Sequence, residues 1–233
     1  EETRCRMFPA SASLDLIADK GTQKQVLVSK NLATAHIEMV ASGDEAVAAL
    51  GRLGGAAMLK RRRGSYDGYG NAAAHSAEEA RAGCIALHGE DGLLLEAWVP
   101  FERELSVLVV RGRDGEIETY PVTTTEQRDH RCHATEVPSG CAPSVEAQAT
   151  AIARQVVEAF DLVGLTAVEL FLTPDGGLLV NEVAPCVRRL YDLLHAWLVR
   201  LKAAAEHNPP LSAPARRRVP ARRPSALARR PAA

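Results

Sequence analysis

The residues best suited to chemistry lie in a basic, glycine-rich stretch at positions 59–71. An apolar run ends at Lys60 and is followed by three arginines and a loop with glycines at positions 64, 68 and 70. Glycine lets backbone N–H groups approach an anion closely, and cationic side chains supply the balancing charge. The stretch lacks the ending of a Walker A loop and the third glycine of a dinucleotide fingerprint. It therefore indicates another kind of phosphate-binding loop, with a plain surface turn as the alternative.

Two glutamates in a predicted hairpin form a second candidate site. Apolar, β-branched segments flank the turn sequence Pro174–Gly177, which is typical of a tight hairpin. If Asp175 and Gly176 are the two loop residues, Glu169 lies opposite Glu182, with Cβ atoms about 5 Å apart. Like charges that close need a cation, and Mg²⁺ commonly takes one or two carboxylates plus phosphate oxygens. The alternatives are a register shifted by one residue, or an exposed pair at a sheet edge.

Composition limits the class of protein. The 233 residues are 46% hydrophobic but only 4% aromatic, which suits one or two globular domains with an aliphatic core. The net charge is −1, yet residues 216–233 contain seven arginines and no acid, so the rest of the chain is acidic. The five cysteines form no CxxC pair, and neither a signal peptide nor a long apolar span is evident. We therefore expect a cytoplasmic protein that binds neither membranes nor nucleic acid.

Local patterns predict hairpins mixed with strand–helix units. Ser42 with Glu45, and Ser76 with Glu79, form capping boxes at two helix starts. The predicted helices are 14–30, 42–53, 76–87 and 145–160; the predicted strands are 34–40, 56–61, 93–99, 105–111, 117–122, 165–172 and 178–183; residues 123–143 are predicted to be irregular. Such a mixed order favours α+β subdomains over a doubly wound parallel sheet.

The sequence changes character after Pro185. Leucines at helical spacing predict a divergent helix within residues 186–207. Proline, alanine and arginine dominate residues 208–233, which we expect to be a disordered basic tail because they offer no core.

Five motifs in one order, between about Leu14 and Pro185, give a more specific indication. They are Asp19-Lys20-x-x-Gln23-Lys24, Leu59-Lys60 with Tyr66-Asp67-Gly68-x-Gly70-Asn71, Glu96-x-x-Val99-x-Phe101-x-x-Glu104-Leu105-Ser106-Val107, Ala167-Val168-Glu169-Leu170-Phe171, and Asn181-Glu182-Val183-Ala184-Pro185. In these motifs the chain resembles the ATP-grasp superfamily, and within it carboxyaminoimidazole ribonucleotide synthase and the ATP-binding part of fungal phosphoribosylaminoimidazole carboxylase. The resemblance implies an ATP-grasp fold over residues 1–185, in which two α+β subdomains clamp a nucleotide.

The resemblance also implies roles for individual residues. Lys20 and Lys60 would contact the ATP phosphates, the loop after Lys60 would close over the nucleotide, and Glu104 would bind the ribose hydroxyls. Strand alternation points Asn181 away from Glu182, so its contribution would need a bulge or a backbone contact. The implied ATP-binding residues are Lys20, Lys60, Ser65, Tyr66, Asp67, Gly68, Tyr69, Gly70, Asn71, Glu96, Ala97, Trp98, Val99 (the last four forming the adenine-reading hinge), Glu104, Asn181 and Glu182. The implied Mg²⁺ ligands are Glu169 and Glu182.

The chemistry implied by the resemblance is stepwise. Bicarbonate attacks the γ-phosphate of ATP, and the resulting carboxyphosphate carboxylates the amine of aminoimidazole ribonucleotide in purine biosynthesis. The expected partners are these small molecules, and a homodimer is left open. In a longer fungal-type protein, a fused carboxylase domain would add a lyase step.

The chain also departs from the family pattern. We expect the family's N-terminal domain to be missing ahead of residue 1, and Cys186 replaces the arginine that follows the Asn181–Pro185 motif. Gln127 stands near the place of a family histidine. These departures lead us to expect an impaired copy that retains ATP binding better than carboxylation, with a shifted reading frame after Pro185 as one hypothesis. Two alternatives remain: a ligase for another acid and amine, and an inactive ATP-binding module.

Overall fold

The computed structural model describes residues 8–65, 69–87, 92–128 and 131–185. Its helices are α1 (Ser11–Ala18), α2 (Lys20–Ser29), α3 (Gly43–Arg52), α4 (Ala77–Leu87) and α5 (Pro143–Ala159). Its strands are β1 (Ile37–Val40), β2 (Ala57–Arg61), β3 (Asn71–Ala74), β4 (Leu93–Ala97), β5 (Arg103–Arg111), β6 (Ile117–Thr119), β7 (Thr123–Arg128), β8 (Arg131–Glu136), β9 (Gly164–Leu172) and β10 (Leu178–Pro185). Within these ranges, the helices are too short or too polar to cross a membrane.

The strands form two antiparallel sheets. The small sheet has the order β1-β4-β2-β3, and the large sheet has the order β10-β9-β5-β7-β8, with β6 also paired to β5. Short hairpins and helical crossovers connect the strands, as the mixed sequence pattern predicts. The predicted α+β architecture is confirmed.

Each sheet buries one face under helices. In the small sheet, Leu59 of β2 and Leu95 of β4 pack with α3 and α4. In the large sheet, Val107 of β5 and Val168 of β9 pack with α5. Because successive side chains in a strand alternate between faces, the residues beside these apolar ones point to the opposite face of each sheet. Those opposite faces contain the candidate functional residues.

Three sequence-based element predictions are wrong. The helix predicted over 14–30 is broken at Asp19, which is extended (φ −100°, ψ 108°) and is the N-cap of α2. The stretch predicted to be irregular, 123–143, contains β7 and β8, which lengthen the large sheet. β3 was not predicted, because its four small polar or alanine residues lack a β-branched signal.

The hairpin of β9 and β10 confirms one part of its prediction and corrects another. Thr173 pairs with Gly177, so the loop has three residues, with Gly176 at φ +83°, instead of two. A bulge between Val180 and Glu182 then shifts the register by one residue. Glu182 therefore lies opposite Glu169, as predicted, and Asn181 is the extra residue of the bulge. The predicted helix within 186–207 and the predicted tail lie outside the described residues.

Candidate functional site

Helix α2 brings the polar faces of the two sheets together. Its residue Lys20 reaches Glu182 of the large sheet, with Nζ 2.9 Å from Oε1. Four residues later, Lys24 reaches Glu96 of the small sheet, with Nζ 2.5 Å from Oε1. Residues four apart lie on the same side of a helix, so α2 presents both ammonium groups in one direction. Three segments that are distant in sequence thus meet in one charged cluster.

Glu96 is the buried centre of this cluster. It is 3% exposed, and its carboxylate forms ion pairs with Lys24 through Oε1 and with Lys60 through Oε2. Lys60 on β2 is a diagonal neighbour of Glu96 on β4, on the same face of the small sheet. Burial alone raises the pKa of Glu96, but the attraction of Lys60 and Lys24 outweighs it and lowers the pKa to about 2. Glu96 is therefore ionised at neutral pH.

The two lysines respond differently to the shared carboxylate. Burial disfavours the charge on Lys60, but the attraction of Glu96, Glu182 and Glu169 outweighs burial and raises its pKa. Burial lowers the pKa of Lys24, because Glu96 compensates only in part and the Lys60 cation opposes the charge on Lys24. Lys60 is therefore a positive charge at neutral pH.

The opposed carboxylates lie on the polar face of the large sheet. Glu182, Glu169 and Ser106 form one row across β10, β9 and β5. The next row places Phe171 beside Glu104, whose side chain shares the face of Ser106. Lys20, together with the field of Lys60, supplies part of the positive charge that the sequence argument assigned to a metal ion. The charges of Glu169 and Glu182 alone therefore do not require a metal ion between them.

The glycine loop is rooted beside Lys20. The Arg62 carbonyl accepts a hydrogen bond from the Lys20 N–H at 2.9 Å. Asp19, which is 4% exposed, accepts from the Arg62 Nε at 3.1 Å and from a terminal Arg62 nitrogen at 2.6 Å. Its Oδ1 also accepts from the backbone N–H groups of Gly21 and Thr22, so it caps α2. Burial raises the pKa of Asp19, but Arg62 and these N–H groups lower it overall.

The loop itself connects β2 to β3. Lys60 pairs with Asn71, and the Arg61 N–H donates to the Gly70 carbonyl at 2.8 Å. Gly70 has φ +87°, and a Cβ there would lie 2.9 Å from the Ser65 Cβ, so the ends of the loop close tightly. Tyr69 is exposed, and the predicted residues Tyr66, Asp67 and Gly68 lie outside the described residues.

The predicted hinge begins at Glu96 and leaves the small sheet. The Ala97 N–H donates to the His36 carbonyl, and the Trp98 N–H donates to the Ala56 carbonyl. The indole of Trp98 is 45% exposed and lies 5.0 Å from the His75 ring. Val99 follows in an irregular segment that leads to β5. The role of this segment in reading adenine stays a prediction.

Sequence reasoning missed four residues that organise the cluster: Asp19, Gln23, Lys24 and Arg62. Three of them belong to the motif Asp19-Lys20-x-x-Gln23-Lys24, whose helical spacing places Gln23 and Lys24 one turn after Asp19 and Lys20. All three are less than 5% exposed. Only the structure shows that Gln23 and Lys24 are buried, and such polar groups are rarely enclosed without partners.

The chain is similar to known proteins of one family. The family model described as the ATP-grasp domain matches residues 25–189. The N5-carboxyaminoimidazole ribonucleotide synthase of Synechococcus elongatus is 37% identical over 185 residues, which are 79% of this chain and 46% of that protein. The phosphoribosylaminoimidazole carboxylase of Ogataea methanolica is 35% identical over 186 residues, or 78% of this chain and 34% of that protein. The chain therefore spans less than half of the length of these two relatives.

Solved structures give the same result. Carboxyaminoimidazole ribonucleotide synthase from Aspergillus clavatus with ATP superposes with a TM-score of 0.75 at 29% identity. The enzyme from the same organism with ADP and 5-aminoimidazole ribonucleotide gives 0.72 at 28% identity. Each comparison covers 78% of this chain and 48% of the other.

Proposed function

Because this chain belongs to the ATP-grasp family, we propose that it binds Mg-ATP between its two sheets and serves an ATP-dependent carboxylation of 5-aminoimidazole ribonucleotide by bicarbonate in purine synthesis. The observation that carries the proposal is the convergence of Lys20, Lys60, Glu169 and Glu182 from separate segments. The names of the relatives support the substrate, and the Aspergillus enzyme, which binds both ADP and 5-aminoimidazole ribonucleotide, supports a site for these two ligands.

The described residues provide suitable donors for a magnesium ion. Glu169 and Glu182 are directly opposed, and Asn181 has a buried Oδ1 without a hydrogen-bond partner among the described residues. Among the residues that the structure describes, no group of three or more His, Cys, Asp or Glu side chains is arranged to hold a metal ion. Two carboxylates completed by phosphate oxygens and water are the usual Mg²⁺ arrangement. When bound, the ion would neutralise charge on the β- and γ-phosphates.

The protein's own groups would position the nucleotide. In this proposal the protonated Lys60 and Lys20 bind phosphate oxygens, and Lys20 exchanges Glu182 for the phosphate. The glycine loop, rooted at Asp19 through Arg62, covers the phosphates and excludes water. Glu104 accepts hydrogen bonds from the ribose hydroxyls, and residues 96–99 contact adenine. Catalysis then rests on position and fixed charge without a covalent enzyme intermediate.

The proposed site must also hold the amine that receives the carboxyl group. Carboxyphosphate is short-lived, so the exocyclic amine of the ribonucleotide must be held against it and shielded from water. Attack of the amine nitrogen on the carboxyl carbon forms the C–N bond and breaks the bond from that carbon to the phosphate oxygen, and the proton lost by the amine leaves with the released phosphate. We place this reaction in the cytoplasm, in keeping with the unpaired thiols of Cys84 and Cys141.

Thermal unfolding with and without ligand tests nucleotide binding. Because ligand binding to the folded state stabilises it, Mg²⁺ with ATP should raise the Tm of the chain more than either alone. Glu182→Ala should lose the Mg²⁺-dependent part of this shift. Glu118→Ala, which removes an exposed glutamate from β6 of the same sheet, should keep it. Equal shifts in both variants would contradict the assignment of Glu182.

Product detection tests the carboxylation itself. The chain is incubated with ATP, Mg²⁺, bicarbonate and 5-aminoimidazole ribonucleotide, and ADP and the carboxylated ribonucleotide are followed together. Carboxylated product that depends on all four components supports the proposed reaction. ADP formation that depends on bicarbonate but not on the ribonucleotide would indicate a ligase for another amine, and nucleotide binding without turnover would indicate a binding module.

A further inference from the structure

The outer edge of β10 is bonded by side chains of α2 and, at Val180, by a single parallel bridge to Thr34. Among the described strands, β10 is the outermost of the large sheet, so its outward backbone groups face no further strand of that sheet. Gln23 bonds the same residue twice: its Nε2 donates to the Val183 carbonyl at 2.9 Å, and its Oε1 accepts from the Val183 N–H at 3.0 Å. The Gln23 Nε2 also donates to the Ile17 carbonyl at 3.1 Å.

A second set of bonds holds β10 three residues earlier. The Val180 carbonyl accepts from the Lys24 Nζ at 3.2 Å and from the Thr34 hydroxyl at 2.7 Å. The Val180 N–H donates to the Ala33 carbonyl at 2.8 Å. Consecutive residues of α2, Gln23 and Lys24, therefore bind β10 on either side of Asn181 and Glu182.

The spacing of these contacts is specific to the bulge. In a regular strand, outward backbone groups recur every second residue, so Glu182 would follow Val180. Here the next outward residue is Val183, because Asn181 is the additional residue of the bulge. The Gln23 amide can meet both Val183 groups only in this register. In the unbulged register, Asn181 would lie opposite Glu169, and Glu182 would turn to the other face of the sheet.

The contacts are enclosed and directional. Gln23 is 2% exposed and Lys24 is 3% exposed, so neither side chain exchanges its partners readily for water. Lys24 also binds Glu96, which connects the register of β10 to the strand that leads into the hinge. Burial of Val183, which is 2% exposed, favours the same register as the Gln23 amide.

We propose that Gln23 and Lys24 are positioning residues that hold the bulge of β10 and thereby place the carboxylate of Glu182 opposite Glu169 at the nucleotide-binding site. The functional half of this inference rests on the proposed function, whereas the register itself does not. Gln23 touches neither the nucleotide nor the metal in this proposal. It acts through the backbone of the residue next to Glu182.

Nuclear magnetic resonance of the full chain tests the register without any ligand. Cα atoms are closest in pairs that do not exchange backbone hydrogen bonds, so Val183 and Val168 should give an Hα–Hα Overhauser signal. In Gln23→Met, which keeps the volume but loses the amide, this signal should weaken and one between Glu182 and Val168 should appear. Gln25→Met, an exposed change on the same helix, should leave the spectrum of β10 unchanged. If Gln23→Met does not fold, the same measurement is made on Gln23→Glu, which keeps the acceptor for the Val183 N–H.

Nucleotide affinity tests the consequence. ADP binding is measured by calorimetry with and without Mg²⁺, at a temperature where every variant is folded. Gln23→Met should reduce the Mg²⁺-dependent gain in affinity at least tenfold, while metal-free affinity changes less than twofold. A variant that is less stable yet keeps both the Val183–Val168 signal and the Mg²⁺ gain would overturn the proposal. If the wild type lacks a Mg²⁺ gain, the proposed function fails and the register signal alone decides the role of Gln23.

Discussion

Replacing Glu96 by glutamine should strongly destabilise the protein in the absence of any ligand. The change keeps the shape of the side chain but removes the charge shared by Lys24 and Lys60, and the Lys24 and Glu96 side chains are each 4% exposed. Removing one partner of a buried ion pair leaves an uncompensated charge and costs about 3–5 kcal/mol. The lowered pKa of Glu96 gives a second value for the free energy that this charge contributes to stability. A shift from 4.5 to about 2 corresponds to about 3 kcal/mol at about 1.4 kcal/mol per pKa unit.

The loss of stability in Glu96→Gln should depend on pH. In the wild type, the stability contributed by Glu96 is complete above pH 4.5 and is lost as the pH falls toward 2, because its folded-state pKa is the lower one. In Glu96→Gln, burial still lowers the pKa of Lys24 and the attraction of Glu96 no longer opposes this shift, so the penalty is relieved as the pH rises toward 10.5. The difference between the two proteins should therefore be greatest near neutral pH and should narrow in both directions.

Urea unfolding at several pH values, followed by far-UV circular dichroism, measures this difference. The matched control is Glu38→Gln, which removes an ion pair with Arg52, whose side chain is 60% exposed, from the neighbouring strand β1. An exposed pair contributes little, so the control should change the free energy of unfolding far less. If Glu96→Gln costs no more than Glu38→Gln at pH 7, or if its penalty does not depend on pH, the buried triad does not stabilise the fold as argued here.

Two further predictions concern the elements that hold the site. Asp19→Ala should destabilise the protein by about 1–2 kcal/mol because α2 loses its N-cap, and by more because Arg62 loses its partner. Asp19→Asn should keep the cap. Limited proteolysis should therefore cut the glycine loop faster in Asp19→Ala than in Asp19→Asn. Gly176→Ala should cost about 1–2 kcal/mol in urea unfolding because Gly176 has φ +83°, whereas Gly51→Ala, inside α3 with open space around it, should stabilise by up to about 1 kcal/mol; equal effects would contradict the three-residue loop.

Local signals in the sequence were sufficient for the elements that depend on neighbouring residues. Ser42 and Ser76 accept hydrogen bonds from the backbone N–H groups three residues later, as the capping boxes predict. The turn at Asp175-Gly176 and the opposition of Glu169 to Glu182 were also predictable. Glu169 and Glu182 are opposed because two departures from the simple hairpin cancel. The longer loop shifts the register by one residue, and the bulge at Asn181 restores it.

The tertiary structure decided the features that depend on contacts between distant segments. Asp19 breaks a helix whose apolar pattern is continuous, because its carboxylate is more stable as a cap that also binds Arg62, 43 residues away. β7 becomes a strand because β5 offers it an open edge, although its polar residues give little local preference. The motifs by themselves determined the family and most of the residues proposed to bind ATP. Only the fold could show that Glu96 pairs with two lysines and that Gln23 holds the register of Glu182, because hydrogen bonds and charges act through space and leave no spacing in the sequence to read.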